Sequence, residues 1–117
     1  MTPFGQKIRE LRTERNLSQK QMAHDLGVSP AYLSALEHGH RGQPSWAMVQ
    51  RIIGFFNLIW DDAEEIETLA QQSHPKVTID TSGLSPDAVV MVNKLSREIR
   101  TLPSAKITDI LKTLDKD

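Results

Sequence analysis

Histidines, clustered carboxylates and a string of small polar residues are the parts of this sequence whose side chains invite a function. His38 and His40 stand two positions apart, with His24 and His74 elsewhere. Imidazoles can hold zinc, but the chain has no cysteine and no histidine pair at the i, i+4 spacing of one helix face. The pair therefore reads as polar residues of an exposed loop. Asp61-Asp62-Ala63-Glu64-Glu65 gathers groups that elsewhere bind cations or move protons. They stand where a helix should begin, and the positive end of a helix dipole favours carboxylates there without any catalytic role. No nucleophile–base pairing, phosphate-binding glycine loop or dinucleotide fingerprint occurs, so the expectation is a non-enzyme with no metal and no cofactor.

The remaining candidates are Gln19, Lys20, Ser29, Pro30, Ala31, Tyr32, Ser34, Ala35, His38, His40, Arg41 and Gln43. Amides, hydroxyls, cations and small apolar groups of this kind suit contact with another molecule's surface more than chemistry in a cavity. Size agrees: a chain of 117 residues buries roughly two-thirds of its unfolded surface, which leaves little for an enclosed site. The absence of cysteine, of a secretion signal and of a membrane-length apolar run makes a cytoplasmic protein the expectation. The net charge of −1 conceals an asymmetry. Residues 1–57 carry seven Lys/Arg against four Asp/Glu, and residues 58–117 carry seven against eleven. A weakly basic front precedes an acidic back.

These residues must be positioned by helices. Phe4, Ile8 and Leu11 recur at helical spacing after Pro3, and Asn16 ends that pattern. Ser18-Gln19-Lys20-Gln21 is a capping box for a second helix with Met22, Ala23 and Leu26 facing inward, stopped by Gly27. Ser29-Pro30 opens a third, carrying Leu33 and Leu36 and closed by Gly39. The polar stretch from His38 to Pro44 is a loop. Ser45 caps a fourth helix with Trp46, Val49, Ile52, Ile53 and Phe56 on its apolar face, and a fifth runs from about Trp60 to Gln72. Trp46 and Trp60 are assigned to packing. Beyond Pro75, Val77 to Thr81 alternates like a short strand, and two further helices are divided by Pro103. The expected architecture is all-α: five helices in a domain of residues 1–73, then a helical extension with one short strand in residues 74–117.

Residues 19–38 have the spacing of a helix-turn-helix, with Ala23 small beneath the third helix and Gly27 available for a left-handed turn. Together with Ile8-Arg9-Glu10-Leu11-Arg12, Leu17-Ser18-Gln19, Leu26-Gly27-Val28-Ser29, Tyr32-Leu33-Ser34 and Leu36-Glu37-His38-Gly39, the chain resembles the XRE-type regulators of the phage repressor and Cro class. That resemblance runs from Phe4 to about Ala70. It implies a transcriptional regulator, acting as repressor or autoregulator, whose third helix enters the major groove of double-stranded DNA. Ser29, Pro30, Ala31, Tyr32, Ser34 and Ala35 then stand at the base edges, without the Arg, Asn or Gln that reads a base bidentately. Gln19 is placed at the DNA backbone or against the third helix, with Lys20, His38, His40, Arg41 and Gln43 as further contacts. The resemblance also pairs Arg12 with Glu37 as a structural ion pair.

One such unit makes few contacts, so a two-fold homodimer is expected, built by the extension. Val77 and Ile79 of the strand and Val89, Val92, Leu95 and Ile99 of the following helix are the candidate dimer residues. A second reading keeps the fold and changes its partner to another protein, as an adaptor or antitoxin-like module.

Overall fold

The computed structural model describes residues 1–40 and 43–116; Arg41, Gly42 and Asp117 lie outside the described residues. The chain divides into two compact units, Met1–Val77 and Thr78–Asp117. All regular structure among the described residues is helical.

The first unit holds α1 (Pro3–Glu14), α2 (Gln19–Leu26), α3 (Pro30–His38), α4 (Trp46–Phe55) and α5 (Trp60–Gln71). Their starts are set by side chains that accept otherwise orphaned amide hydrogens. Thr2, Ser18, Ser29 and Ser45 cap the first four helices, and Gln21 completes a capping box by accepting from the Ser18 amide at 3.0 Å. Their ends use left-handed residues: Asn16 follows α1, Gly27 ends α2, Gly39 ends α3 and Asn57 follows α4. The core gathers one stripe from each helix, with Phe4, Ile8, Met22, Leu33, Leu36, Ile52 and Ile66 wholly buried. Ser73 locks the end of the unit to its beginning, since its hydroxyl accepts from the Phe4 amide at 3.0 Å and donates to the Leu69 carbonyl.

Two helices meet more closely than side chains permit. A Cβ on Gly5 of α1 would lie 2.0 Å from the carbonyl oxygen of Glu37 on α3. Glycine is required there by backbone approach, although its φ is ordinary.

The tryptophans depart from the expectation of packing: Trp46 is 62% and Trp60 84% exposed. Trp46 occupies the first position of α4, ahead of the buried stripe of Met48, Val49, Ile52 and Ile53. At the turn into α5, Leu58 packs on the core instead. Trp60 takes a left-handed φ of 52°, uncommon for a bulky residue.

The second unit contains α6 (Pro86–Glu98), a short 3-10 turn (Ile99–Thr101) and α7 (Ser104–Asp115). The strand expected over Val77–Thr81, with Val77 and Ile79 as pairing residues, does not form; the segment is irregular and Val77 and Ile79 are exposed. Alternating residues make a strand only when a neighbouring edge takes up their backbone hydrogen bonds. No such edge lies beside this segment among the described residues, and a local turn follows it: the Ser82 amide donates to Asp80 Oδ1 at 2.9 Å, the Leu84 amide to the Thr81 carbonyl at 3.1 Å, and Gly83 has φ 79°. The bond from the Ser82 amide, with a smaller part from its hydroxyl, holds the Asp80 carboxyl below its usual range.

The acidic surplus also sits elsewhere than in the extension. Residues 78–117 carry six Lys/Arg and six Asp/Glu, whereas Asp61, Asp62, Glu64, Glu65 and Glu67 all belong to α5.

Two glycine substitutions separate close approach from mere conformational freedom. Gly5→Ala should cost about 1–3 kcal/mol, because the added methyl must displace a backbone carbonyl. Gly54→Ala, in an exposed helical position with nothing within 4 Å of the new Cβ, should gain about 0.5–1 kcal/mol. Chemical denaturation of both variants provides the comparison.

Candidate nucleic-acid interface

Between α2 and α3 the chain turns within three residues. Gly27, at φ 81°, lets its own amide reach the Ala23 carbonyl at 2.9 Å, and the Val28 amide reaches the same oxygen at 2.9 Å. Arg51 of α4 donates from Nη2 to the Leu26 carbonyl, another group left over at the end of α2. Val28 then packs on the core and Ser29 begins α3, its hydroxyl accepting from the Tyr32 amide at 3.0 Å. Ala23 is wholly buried, as a close crossing of the two helices demands.

The orientation of α3 is further held by its last turn. Glu37 is a buried carboxylate, with 1% of its side chain exposed. Arg12 of α1 donates to it twice, from Nε to Oε2 at 3.0 Å and from Nη2 to Oε1 at 3.2 Å. Gln19, the first residue of α2, donates to the same Oε1 at 3.1 Å. The third arm of the guanidinium goes to the Leu17 carbonyl at 2.9 Å. One carboxylate thus joins α1, α2 and α3, and its charge is met by a fork of matching geometry.

Along α3 the candidates fall into two groups. Ser29, Pro30 and Ala31 are exposed, while Tyr32, Ser34 and Ala35 are half-buried, with Tyr32 packed against the core. A short protruding N-terminal edge therefore leads into a partly sheltered face. Lys20 is exposed beside the amino end of α2; Gln19 is half-buried with its amide directed to Glu37. His38 is exposed and bonds through Nδ1 to the Ser34 carbonyl at 2.8 Å, and the rings of His38 and His40 are 5.9 Å apart. Gln43 points inward, donating to the Ala70 carbonyl at 2.9 Å and tying the loop to α5. Arg41 lies outside the described residues.

Residues 8–59 match the family model described as a helix-turn-helix. Over that stretch the N-terminal unit is similar to the helix-turn-helix family. Among known proteins, the chain is 37% identical over 62 residues to the uncharacterized HTH-type transcriptional regulator RghRB of Bacillus subtilis, covering 53% of this chain and 45% of that one. It is 42% identical over 52 residues to the HTH-type transcriptional repressor RghR of the same organism, covering 44% and 38%. The HTH-type transcriptional activator BcrR of Enterococcus faecalis is 38% identical over 71 residues, covering 58% and 34%. The chain spans less than half the length of each of these relatives. No solved structure matches it.

Gly5, Arg51 and Ser73 support this helix-turn-helix unit without having been singled out in the sequence. Gly5 alone carried a signal, since a glycine inside an amphipathic helix marks close backbone approach.

Removing either end of the buried pair should be costly. Glu37→Ala leaves Arg12 with the Leu17 carbonyl alone and is expected to lose about 3 kcal/mol of unfolding free energy. Ser29→Ala should lose about 1 kcal/mol by uncapping α3. Urea titrations monitored by circular dichroism test both magnitudes.

Proposed function

We propose that this protein is a sequence-specific regulator of transcription that binds double-stranded DNA by inserting α3 into the major groove. The observation that carries this reading is the exposed edge Ser29-Pro30-Ala31, held on a helix braced from both α1 and α2 through Glu37. A major groove admits one α-helix, and the leading residues of that helix meet base edges. Pro30 and Ala31 offer contacts to thymine methyl groups, while Ser29, Ser34 and the Tyr32 hydroxyl offer single hydrogen bonds. Without a bidentate reader, discrimination rests substantially on the shape and deformability of the site.

Phosphate contacts would fix the register. The free amide groups and positive dipole at the start of α2 suit one phosphate, with Lys20 beside them. His38 and His40 suit the backbone beyond the carboxyl end of α3, and Arg41 is assigned to the same contact. Gln19 serves this arrangement indirectly, by orienting Glu37, and Gln43 by tethering the loop.

Two copies would bind together, with half-sites about 34 Å apart or a multiple of that spacing. Occupying promoter DNA in this way would block polymerase, the mode of action proposed here; the relatives include both a named repressor, RghR, and a named activator, BcrR. One observation favours a second reading as a protein-interaction module: Ile59 and Trp60 are exposed beside the carboxylates of α5. Such a surface repels phosphate and suits a basic, partly apolar protein.

Selection of genomic fragments by the purified protein, followed by titrations over a range of salt, distinguishes these readings. The regulator should select one palindrome and lose log affinity linearly with log salt. Absent or salt-independent binding would leave the interaction module. Ser34→Ala and Tyr32→Phe should reduce the preference for the operator by about 3- to 10-fold, the worth of one hydrogen bond each. Lys20→Ala should weaken operator and random DNA alike and lower the salt slope by about one unit.

A further inference from the structure

The unit Thr78–Asp117 has an apolar surface that nothing in its own fold covers. None of the side chains in α6, the 3-10 turn or α7 is buried. Met91 and Leu95 of α6, Leu102 and, from α7, Ile110 and Leu114 line an open groove of 400 Å³. Met91 and Leu114 are 61% and 72% exposed. A helical hairpin of this size cannot bury enough surface to hold itself, so its groove calls for an occupant.

Charge indicates which occupant. With six Lys/Arg and six Asp/Glu, the unit is neutral and selects neither a basic nor an acidic partner. Its groove nevertheless carries one charge of each sign, Lys94 and Glu98, a single helical turn apart on α6. Neither side chain makes a hydrogen bond or ion pair among the described residues, although the Glu98 carbonyl accepts from the Thr101 hydroxyl. Met91, Leu95 and Glu98 recur at spacings of four and three, the rhythm of a helix–helix seam in which Glu98 is the one charged member, and Leu102 follows beyond the 3-10 turn. Opposite charges so placed complement their own copy. When two α6 helices cross antiparallel about a two-fold axis between these positions, Lys94 faces Glu98 of the partner subunit, and the second pair follows by symmetry.

We propose that the groove is filled by the same hairpin of a second copy, forming a two-fold four-helix arrangement whose register is set by these two Lys94–Glu98 pairs. This rests on the homodimer reading above and adds its contact surface. Val89 and Val92, both half-buried, lie outside the groove, and Val77 and Ile79 lie outside the hairpin's helices.

Charge reversal tests the pairing in the full-length chain, by sedimentation equilibrium with circular dichroism as a folding control. Lys94→Glu and Glu98→Lys should each weaken self-association by about tenfold, because each places like charges opposite one another twice. The double variant K94E/E98K should regain wild-type association. An equimolar mixture of the two single variants should form dimers containing one of each, counted by native mass spectrometry. Leu114→Asp, at a solvent-exposed position, should weaken association without rescue. Dimers indifferent to these charges, or a mixture that fails to recover, would overturn the groove and leave the homodimer standing. A wild-type chain that stays monomeric both free and on DNA would overturn both.

Discussion

The buried carboxylate of Glu37 is the constraint on which the N-terminal unit depends. A lone charge in that position would be intolerable, so the fold must deliver Arg12 from α1 and Gln19 from α2 to its two oxygens. Satisfying it fixes the relative placement of three helices. The same crossing brings the α3 backbone so close to α1 that Gly5 must lack a side chain. An apolar group at position 37 would pack without specifying direction, whereas a fork of hydrogen bonds does both.

That placement has a consequence for recognition. Ser29, Pro30 and Ala31 project from the opposite end of α3, where the Ser29 cap and the left-handed Gly27 determine the turn. A helix that reads a groove with small side chains has little reach and must be presented at a defined angle. Under the proposed reading, the capped, braced α3 meets that requirement, while Gln43 after it is tied back to α5.

Charge is partitioned more finely than a basic half and an acidic half. The carboxylates concentrate on α5, and the second unit is balanced. The N-terminal unit therefore holds both the basic segment and an acidic helix, and Lys7 of α1 is paired with Glu65 of α5 at 3.5 Å. The balanced unit has no such bias, and its defining property is uncovered apolar surface.

The sequence by itself determined the helices and their limits, because caps, prolines and left-handed glycines act within a few residues of where they stand. It also determined the helix-turn-helix spacing, since Ala23, Gly27 and Ser29 act locally. Only tertiary structure decided matters that depend on distant neighbours. Val77 to Thr81 has the alternation of a strand, but no adjacent edge among the described residues receives its hydrogen bonds, and the chain turns away after it at Asp80–Ser82. Trp46 and Trp60 are apolar enough for a core whose places are filled by Met48, Val49 and Leu58. Gln43 looks like a surface amide until the Ala70 carbonyl, 27 residues away, is brought within 2.9 Å. Burial and pairing belong to the packed chain, and residue type alone specifies only the capacity for them.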